Sequence, residues 1–389
     1  MIVPVVVTAL GLVLVGTITQ LFGYRLGGTI AIPVLAVYTL KNAFMLPVFF
    51  FSTILAYLGL SIVKQRTLIY GRDELLVAMG IGSGIPLLIF LTIGAVFPES
   101  LREVVFIGSI LPGLAAFNYH QLKPQYRTDD LIATILLFSG LTTLGWFLVT
   151  PELAPVLGEL TPPALYTSTS DVAVFKNAAV ATELEPTILS RPSTILIFLI
   201  GLGISERVRA RYGIRIGLIS TALLAIYALA SQWLIALYVI VLVTAFIFLQ
   251  LVHQITLLYG RVLISITTAF ALLSTVPLVM ALPITRGLSA YFVGILAGIN
   301  AYNWHTTPTS KRKLYVPLTL GTFTFLLLIV RATGQILPRG IPQQFGPVEI
   351  LVGVAITVVC FLFVEYYTVD RPDHEEVFEA SILSGSDER

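Results

Sequence analysis

Long apolar runs follow one another along almost the whole chain, with short polar stretches between them. A transmembrane helix needs about 20 mostly apolar residues, and a chain in hydrocarbon must satisfy its own backbone hydrogen bonds. The apolar/polar alternation of a membrane barrel is absent. Thirteen runs can be delimited: 2–22, 27–41, 44–63, 75–97, 104–118, 131–149, 192–206, 213–230, 233–257, 262–283, 287–303, 314–332 and 347–367.

This pattern predicts an all-α polytopic membrane protein with about 12–13 transmembrane segments. The short runs 27–41, 104–118 and 287–303 can either cross the bilayer or re-enter from one side. The composition points the same way, because 57% of the residues are apolar, 11% are charged and the mean hydropathy is +0.93. An ordinary soluble domain is about 25% charged. A cytosolic enzyme, a secreted disulfide scaffold and a nucleic-acid-binding domain are therefore excluded.

The basic residues indicate the orientation. If the N-terminus lies outside and every run crosses, 16 of the 23 lysines and arginines fall on the inner side, as the positive-inside rule requires. The sequence predicts a multi-pass plasma-membrane protein with a cytoplasmic C-terminus. The basic inner loops could also dock an acidic partner or guide a polyanion, although topology setting and contact with anionic lipid account for them alone.

Polar segments divide the chain into membrane units. Residues 151–191 are rich in proline and acidic side chains, and we expect an extracytoplasmic loop there. A solvated linker between two halves is favoured over a lid or a docking loop. The predicted units are a first repeat over 1–150, a second over 192–335, an additional transmembrane helix over 347–367 and a disordered cytoplasmic tail over 368–389.

The two membrane units resemble each other in their polar motifs. Leu68–Arg72 (LIYGR) recurs as Leu257–Arg261 (LLYGR) at an offset of 189 residues, and Ile110–His120 recurs as Ile295–His305 at an offset of 185. Six runs separate equivalent points, so we predict two parallel homologous repeats. If one short run is re-entrant, the repeats are inverted.

The motifs supply candidate functional residues at matching places in both halves. A guanidinium at the inner boundary can bind carboxylate or phosphate in a bidentate way, or it can anchor the helix at the headgroups. A histidine at a helix C-terminus can bind an anion, relay a proton or cap the helix. The candidate substrate-binding residues are Arg72 and Arg261, Tyr70 and Tyr259, Asn118 and Asn303, and His120 and His305.

Glycine and proline interrupt the same regions. Such interruptions can mark a binding site or pathway in transporters, or close packing of helices through small residues. The candidate backbone and pathway positions are Gly71, Gly260, Pro112, Gly113 and Gly298.

Other chemistry finds no support in the sequence. The single cysteine, Cys360, excludes an internal disulfide, a zinc–thiolate site and an iron–sulfur cluster. No two histidines have the spacing of a catalytic metal centre, and no phosphate-binding loop is present. We therefore predict no metal site, no cofactor and no catalytic residue. His253 and His374 show no partner arrangement of the kind described above.

The motifs resemble those of the membrane subunit of poly-γ-glutamate synthesis, the PgsC/CapC family. Leu68–Arg72, followed by an apolar run and then Leu111–Leu114, carries the resemblance, and Ile132–Gly140 and Arg25–Gly27 with Pro33–Ala36 match further family elements. Family members are typically one repeat long, whereas this chain is predicted to be a tandem duplication.

The resemblance implies a non-catalytic membrane subunit of a capsule synthesis and export complex. Its partners would be a cytosolic Mur-ligase-like ATP-dependent ligase, other membrane subunits of the complex, the anionic polymer and the lipid bilayer, and not a nucleic acid. The family motif makes Arg72 the first candidate for carboxylate binding, and Arg261 follows by internal symmetry. The alternatives are an autonomous transporter or flippase for an anionic or lipid-linked substrate, and a purely structural anchor for an enzyme. The scarcity of acids within the runs weighs against autonomous transport.

Overall fold

The chain is described by a computed structural model that covers residues 1–93, 110–181, 191–333 and 346–368. Fourteen α-helices lie within these ranges. The first half contains α1 (Ile2–Phe22), α2 (Ala31–Lys41), α3 (Met45–Arg66), α4 (Arg72–Ile93), α5 (Ile110–His120) and α6 (Arg127–Leu148), and α7 (Asp171–Phe175) follows. The second half contains α8 (Arg191–Tyr212), α9 (Leu218–Ala230), α10 (Gln232–Thr256), α11 (Gly260–Ala281), α12 (Gly287–Thr306), α13 (Arg312–Thr333) and α14 (Pro347–Thr368).

The prediction of an all-helical membrane protein is confirmed. Seven helices are long and apolar enough to cross a membrane: α1, α3, α6 with its preceding turn, α10, α11, α13 and α14. The described parts of the other predicted spans also fall on helices, of which α2, α5 and α9 are short, and residues 94–97 and 104–109 of two of these spans lie outside the described residues. Outside the helices, the described ranges contain one isolated β-bridge, between Thr167 and Ala181. The crossing count of 12–13 remains a prediction.

The interior is built around helices that are buried on nearly every side. Almost all of α2 is buried, as is α12 from Gly287 to Ala301. Helix α1 packs along α11, where Gly16 lies against Ser265. Because Gly16 has no side chain, the two backbones approach closely. This contact joins the first half of the chain to the second.

Neighbouring helices correspond between the halves. In the first half α3, α4 and α5 pack against one another, and α2 packs on α6; in the second half α10, α11 and α12 form the equivalent group, and α9 packs on α13. Gly71 and Gly260, which precede α4 and begin α11, both have a φ of 64°, a left-handed conformation that favours glycine. These correspondences support the predicted duplication.

Contacts between distant segments define two ends of the helical body. At one end, called here the motif end, Arg25 meets Asp130, Arg209 meets Asp73 and Arg211 meets Glu365. At the opposite end, called the cap end, Ala43 meets Asp171. The loops that the sequence predicts on the inner side lie at the motif end.

The described part of the connecting segment, 151–181, is folded onto the cap end. Leu165, Tyr166 and Val172 are buried, and the Tyr166 hydroxyl donates to the Leu148 carbonyl at 2.7 Å. Gly287 lies directly against the Pro162 carbonyl, with no room for a side chain. The expectation of a solvated linker is therefore wrong for these residues, because their apolar side chains cover the ends of the helices.

Candidate anion-binding site

Two of the predicted site residues, one from each half, meet at the junction of the halves. Arg261, in the first turn of α11, donates from Nη2 to Oδ1 of Asn118 at 2.8 Å. Asn118, near the end of α5, is buried and donates from Nδ2 to the Leu114 carbonyl at 2.8 Å. This hydrogen bond within α5 orients the Asn118 amide so that its oxygen faces Arg261.

The loop between α1 and α2 completes this site. Asp130 is buried in the first turn of α6, and its Oδ1 accepts the backbone N–H groups of Arg25 at 2.6 Å and Leu26 at 2.9 Å. The loop needs this anchor because Leu26, Gly27 and Gly28 all have positive φ values, of 50°, 64° and 115°. Gly28 also lies against the amide of Asn118, and a Cβ there would be 2.8 Å from Nδ2.

Arg25, Asn118, Asp130 and Arg261 are called here the seam cluster. It contains two guanidinium groups and one carboxylate, and the direct partner of Arg261 is an uncharged amide. Burial lowers the pKa of Arg25, while the carboxylates of Asp130 and Glu74 oppose that shift. The cluster therefore has an excess of positive charge in a partly buried position, as binding of a carboxylate or phosphate requires.

His120 belongs to a separate polar network in the first half. Its Nε2 lies 3.0 Å from the Ser61 hydroxyl, and Nδ1 lies 3.9 Å from Oε1 of Glu74. Glu74 is buried and binds Lys64 at 2.9 Å and Gln121 at 2.8 Å. Burial and the nearby charge of Lys64 lower the pKa of His120, which favours the neutral ring as a hydrogen-bonding group.

The equivalent histidine of the second half has different surroundings. The rings of His305 and His253 lie 5.0 Å apart, and His253 Nδ1 lies 2.8 Å from the Leu258 carbonyl. The ends of α10 and α12 therefore come together and give His253 a partner in space, although His253 lacks the asparagine–histidine pattern in the sequence. The backbone carbonyl of Asn303 accepts a hydrogen bond from the Thr307 hydroxyl at 2.9 Å, at the end of α12.

The remaining motif residues lie at the surface or in helix contacts. Tyr70 and Tyr259 are 83% and 82% exposed, so neither belongs to the seam cluster. The side chain of Arg72 lies outside the described residues. Gly113 and Gly298 sit in close helix contacts, where a Cβ would lie 2.6 Å from Met79 Cα and Thr268 Cα respectively. Pro112 is buried beside the first of these contacts.

Three residues of these networks were missed as site candidates in the sequence: Arg25, Glu74 and Asp130. Glu74 and Asp130 each lie in the first turn of a helix, just before the predicted apolar run, where the helix dipole stabilises a negative charge. An acid at that position was the signal available in the sequence, whereas its burial is visible only in the structure. Within the described residues, no group of three histidine, cysteine or acidic side chains could hold a metal ion.

Comparison with known proteins finds a family match in the N-terminal part of the chain. Residues 10–128 match the model of the family described as capsule biosynthesis CapC. The match contains the Leu68–Arg72 motif, Asn118 and Arg25, and ends just before Asp130. No curated protein and no solved structure matches the chain. Residues 10–128 are therefore similar to the CapC capsule biosynthesis family, which supports the resemblance that the motifs of this region predicted.

Proposed function

We propose that this protein is the membrane subunit of a poly-γ-glutamate-type capsule synthesis and export complex, and that it holds or conducts the anionic chain. A separate ATP-dependent ligase forms the amide bonds, with other capsule membrane subunits as further partners. The match of residues 10–128 to the capsule biosynthesis family supports a role in capsule synthesis. The observation that carries the finer proposal is the seam cluster, where Arg261 donates to a neutral amide beside a second arginine.

The chemistry of the cluster suits a chain with repeated carboxylates. Hydrogen bonds from a guanidinium to a carboxylate are about twice as strong as neutral ones and can be bidentate. A substrate carboxylate would therefore displace Oδ1 of Asn118 as the acceptor for Arg261. Oδ1 of Asp130 is bound by two backbone N–H groups and anchors the loop, and the charge of this single carboxylate only partly offsets the two guanidinium groups of the cluster.

The position of the cluster also supports the proposal. Its arginines come from both halves, and it lies at the motif end, which the positive-inside rule predicts to face the cytoplasm. A cytosolic ligase delivers its product to that side. Both the loop 23–28 and Arg261 must keep their places for the site to exist, so the site depends on the contact between α1 and α11.

The experiment replaces Arg261 in a cell that makes the polymer. Arg261→Gln removes the charge, and Arg261→Lys keeps the charge but loses the planar fork. We expect little surface polymer with the Gln variant and an intermediate amount with the Lys variant, at normal abundance of the protein. Arg66→Gln is the matched control, because Arg66 is exposed at the same end.

Normal surface polymer with Arg261→Gln, at normal abundance, would contradict the role of the seam cluster. Transport of an anionic substrate by the purified protein in vesicles without a ligase would instead support an autonomous transporter or flippase.

A further inference from the structure

Hydroxyl groups follow the contact between the two halves through the interior of the protein. On α1, Thr8 and Thr19 belong to the helical stripe that includes Gly16, the glycine that packs against Ser265 of α11. On α11, Thr268 lies one turn after Ser265 on the same face. Thr8 and Thr19 are about 17 Å apart along the helix axis. The hydroxyls therefore form a row along the contact, called here the hydroxyl row.

Two hydroxyls of this row have no hydrogen-bond partner within the described residues, those of Thr19 and Thr268. A threonine inside a helix usually donates to the carbonyl one turn back, as the neighbouring Thr267 does to Leu263 at 2.7 Å. A buried hydroxyl without a partner is unfavourable by about 1–3 kcal/mol. Such groups are rare in folded proteins, and they are available to a bound molecule.

Three tyrosines extend the row toward the cap end. Tyr38 of α2, Tyr227 of α9 and Tyr291 of α12 belong to one buried cluster, and Tyr38 corresponds to Tyr227 at the offset of 189 residues. The hydroxyls of Tyr291 and Thr8 lie 2.7 Å apart. Tyr38 is 3% exposed, and its hydroxyl has no hydrogen-bond partner among the residues that the structure describes. Helices from both halves therefore bring hydroxyls to the same buried region.

The hydroxyl row connects the two ends of the helical body. At the motif end it begins at the seam cluster, because Arg261 lies one turn before Ser265 on α11. At the cap end it finishes beneath the segment 151–181, because Gly287, one turn before Tyr291 on α12, lies against the Pro162 carbonyl. The row thus leads from the candidate anion-binding site to the covered end of the protein.

We propose that the polymer crosses the membrane between the two halves, along the hydroxyl row, after it has bound at the seam cluster. This inference rests on the proposed function and adds the route. Each residue of the polymer carries an amide and a carboxylate, and both accept hydrogen bonds from hydroxyls. Neutral hydroxyls bind such groups weakly enough for the chain to move on, as conduction requires. The described structure is the closed state, since α1 and α11 are in contact, and passage requires these helices to separate.

The first experiment locks the two halves together in a cell that makes the polymer. Gly16→Cys and Ser265→Cys are combined with Cys360→Ser. A Cβ at Gly16 would lie 3.2 Å from that of Ser265, and a disulfide needs about 3.5–4.5 Å, so a small shift lets the bond form. With a membrane-permeant oxidant, we expect surface polymer to fall in proportion to the cross-linked fraction and intracellular polymer to rise. A reductant should restore export.

The matched control is a cross-link between two helices away from the contact of the halves. Gly321→Cys alone supplies it, because a Cβ at Gly321 of α13 would lie 3.0 Å from Cβ of the native Cys360 on α14. We expect this disulfide to leave export unchanged under the same oxidant.

The second experiment removes unpaired hydroxyls without a cross-link. In the variant Tyr38→Phe/Thr268→Val both side chains nearly keep their shapes, and Tm should not fall, because neither hydroxyl has a partner within the described residues. We expect export to fall about fivefold, the value of one hydrogen bond to the passing chain. Tyr238→Phe is the control. The Tyr238 hydroxyl accepts Nδ2 of Asn300 at 2.5 Å, so its loss should lower Tm while export per molecule stays normal.

The outcomes separate the route from the proposed function. Normal export while the α1–α11 disulfide is formed would overturn the route, and so would normal export from Tyr38→Phe/Thr268→Val. Loss of intracellular and surface polymer together on oxidation would also overturn it, because synthesis rather than passage would then depend on the contact. In each case a loss of surface polymer in Arg261→Gln would leave the proposed function standing, whereas normal polymer in Arg261→Gln would contradict the proposed function itself.

Discussion

Replacing Asp130 by alanine tests the anchor on which the seam cluster depends. The substitution removes the acceptor of two N–H groups, at 2.6 and 2.9 Å, from a position that is 2% exposed. A hydrogen bond to a charged group contributes about 1.5–3 kcal/mol. Water that enters the site would recover part of the two bonds, so we expect a loss of about 3 kcal/mol.

The assay is thermal unfolding of the purified protein in detergent, with Asp129→Ala as the control. Asp129 is the adjacent residue and is exposed. Scaled to a chain of this size, a loss of about 3 kcal/mol lowers Tm by about 4 °C, while the control should stay within about 1 °C. Asp130→Asn keeps an acceptor oxygen and should have a smaller effect than alanine. A Tm for Asp130→Ala equal to that of the control would refute the reasoning.

Two further predictions concern the same end of the protein. Gly28→Ala places a Cβ 2.8 Å from Nδ2 of Asn118 at a φ of 115°, and we expect it to reduce surface polymer strongly. Gly23→Ala, at a φ of 72°, meets nothing within 4 Å and should cost only about 1 kcal/mol of stability. Equal polymer output from the two variants would contradict this expectation. Burial lowers the pKa of both His120 and His305, helped by Lys64 and His253 respectively. The unfolded chain therefore binds protons first, and stability should fall as the pH drops from about 7 through the folded-state pKa values. Tm measured against pH should be flatter in the variant His120→Gln/His305→Gln, and an unchanged slope would exclude these histidines as its source.

The helices could be predicted from the sequence because each one is an apolar run with polar ends. α1 was predicted with its bounds, and α14 within one residue. The polar residues at helix starts were harder to interpret, because Glu74 and Asp130 lie just outside the apolar runs. In the sequence they resemble solvated loop residues, and only the folded structure shows that neighbouring helix ends cover them.

Contacts between the halves were beyond what the sequence could predict. The bond from Arg261 to Asn118 depends on how α11 packs against α1, and a residue offset carries no information on that placement. The same holds for the pairing of His253 with His305, whose positions differ by 52 residues. The connecting segment was misjudged because prolines and acids suggested solvation, whereas Leu165 and Tyr166 supply a buried apolar surface.

Labelling of introduced cysteines tests most directly the claim that both motifs serve an anionic chain at one cytoplasmic face. In a Cys360→Ser background, Tyr70→Cys and Tyr259→Cys replace side chains that are 83% and 82% exposed, and Phe175→Cys replaces one at the cap end that is 74% exposed. With a membrane-impermeant maleimide, Phe175→Cys should react in intact cells, and the two motif cysteines should react only after the cells are permeabilised. Reaction of one motif cysteine but not the other in intact cells would place the motifs on opposite sides of the bilayer and contradict the account.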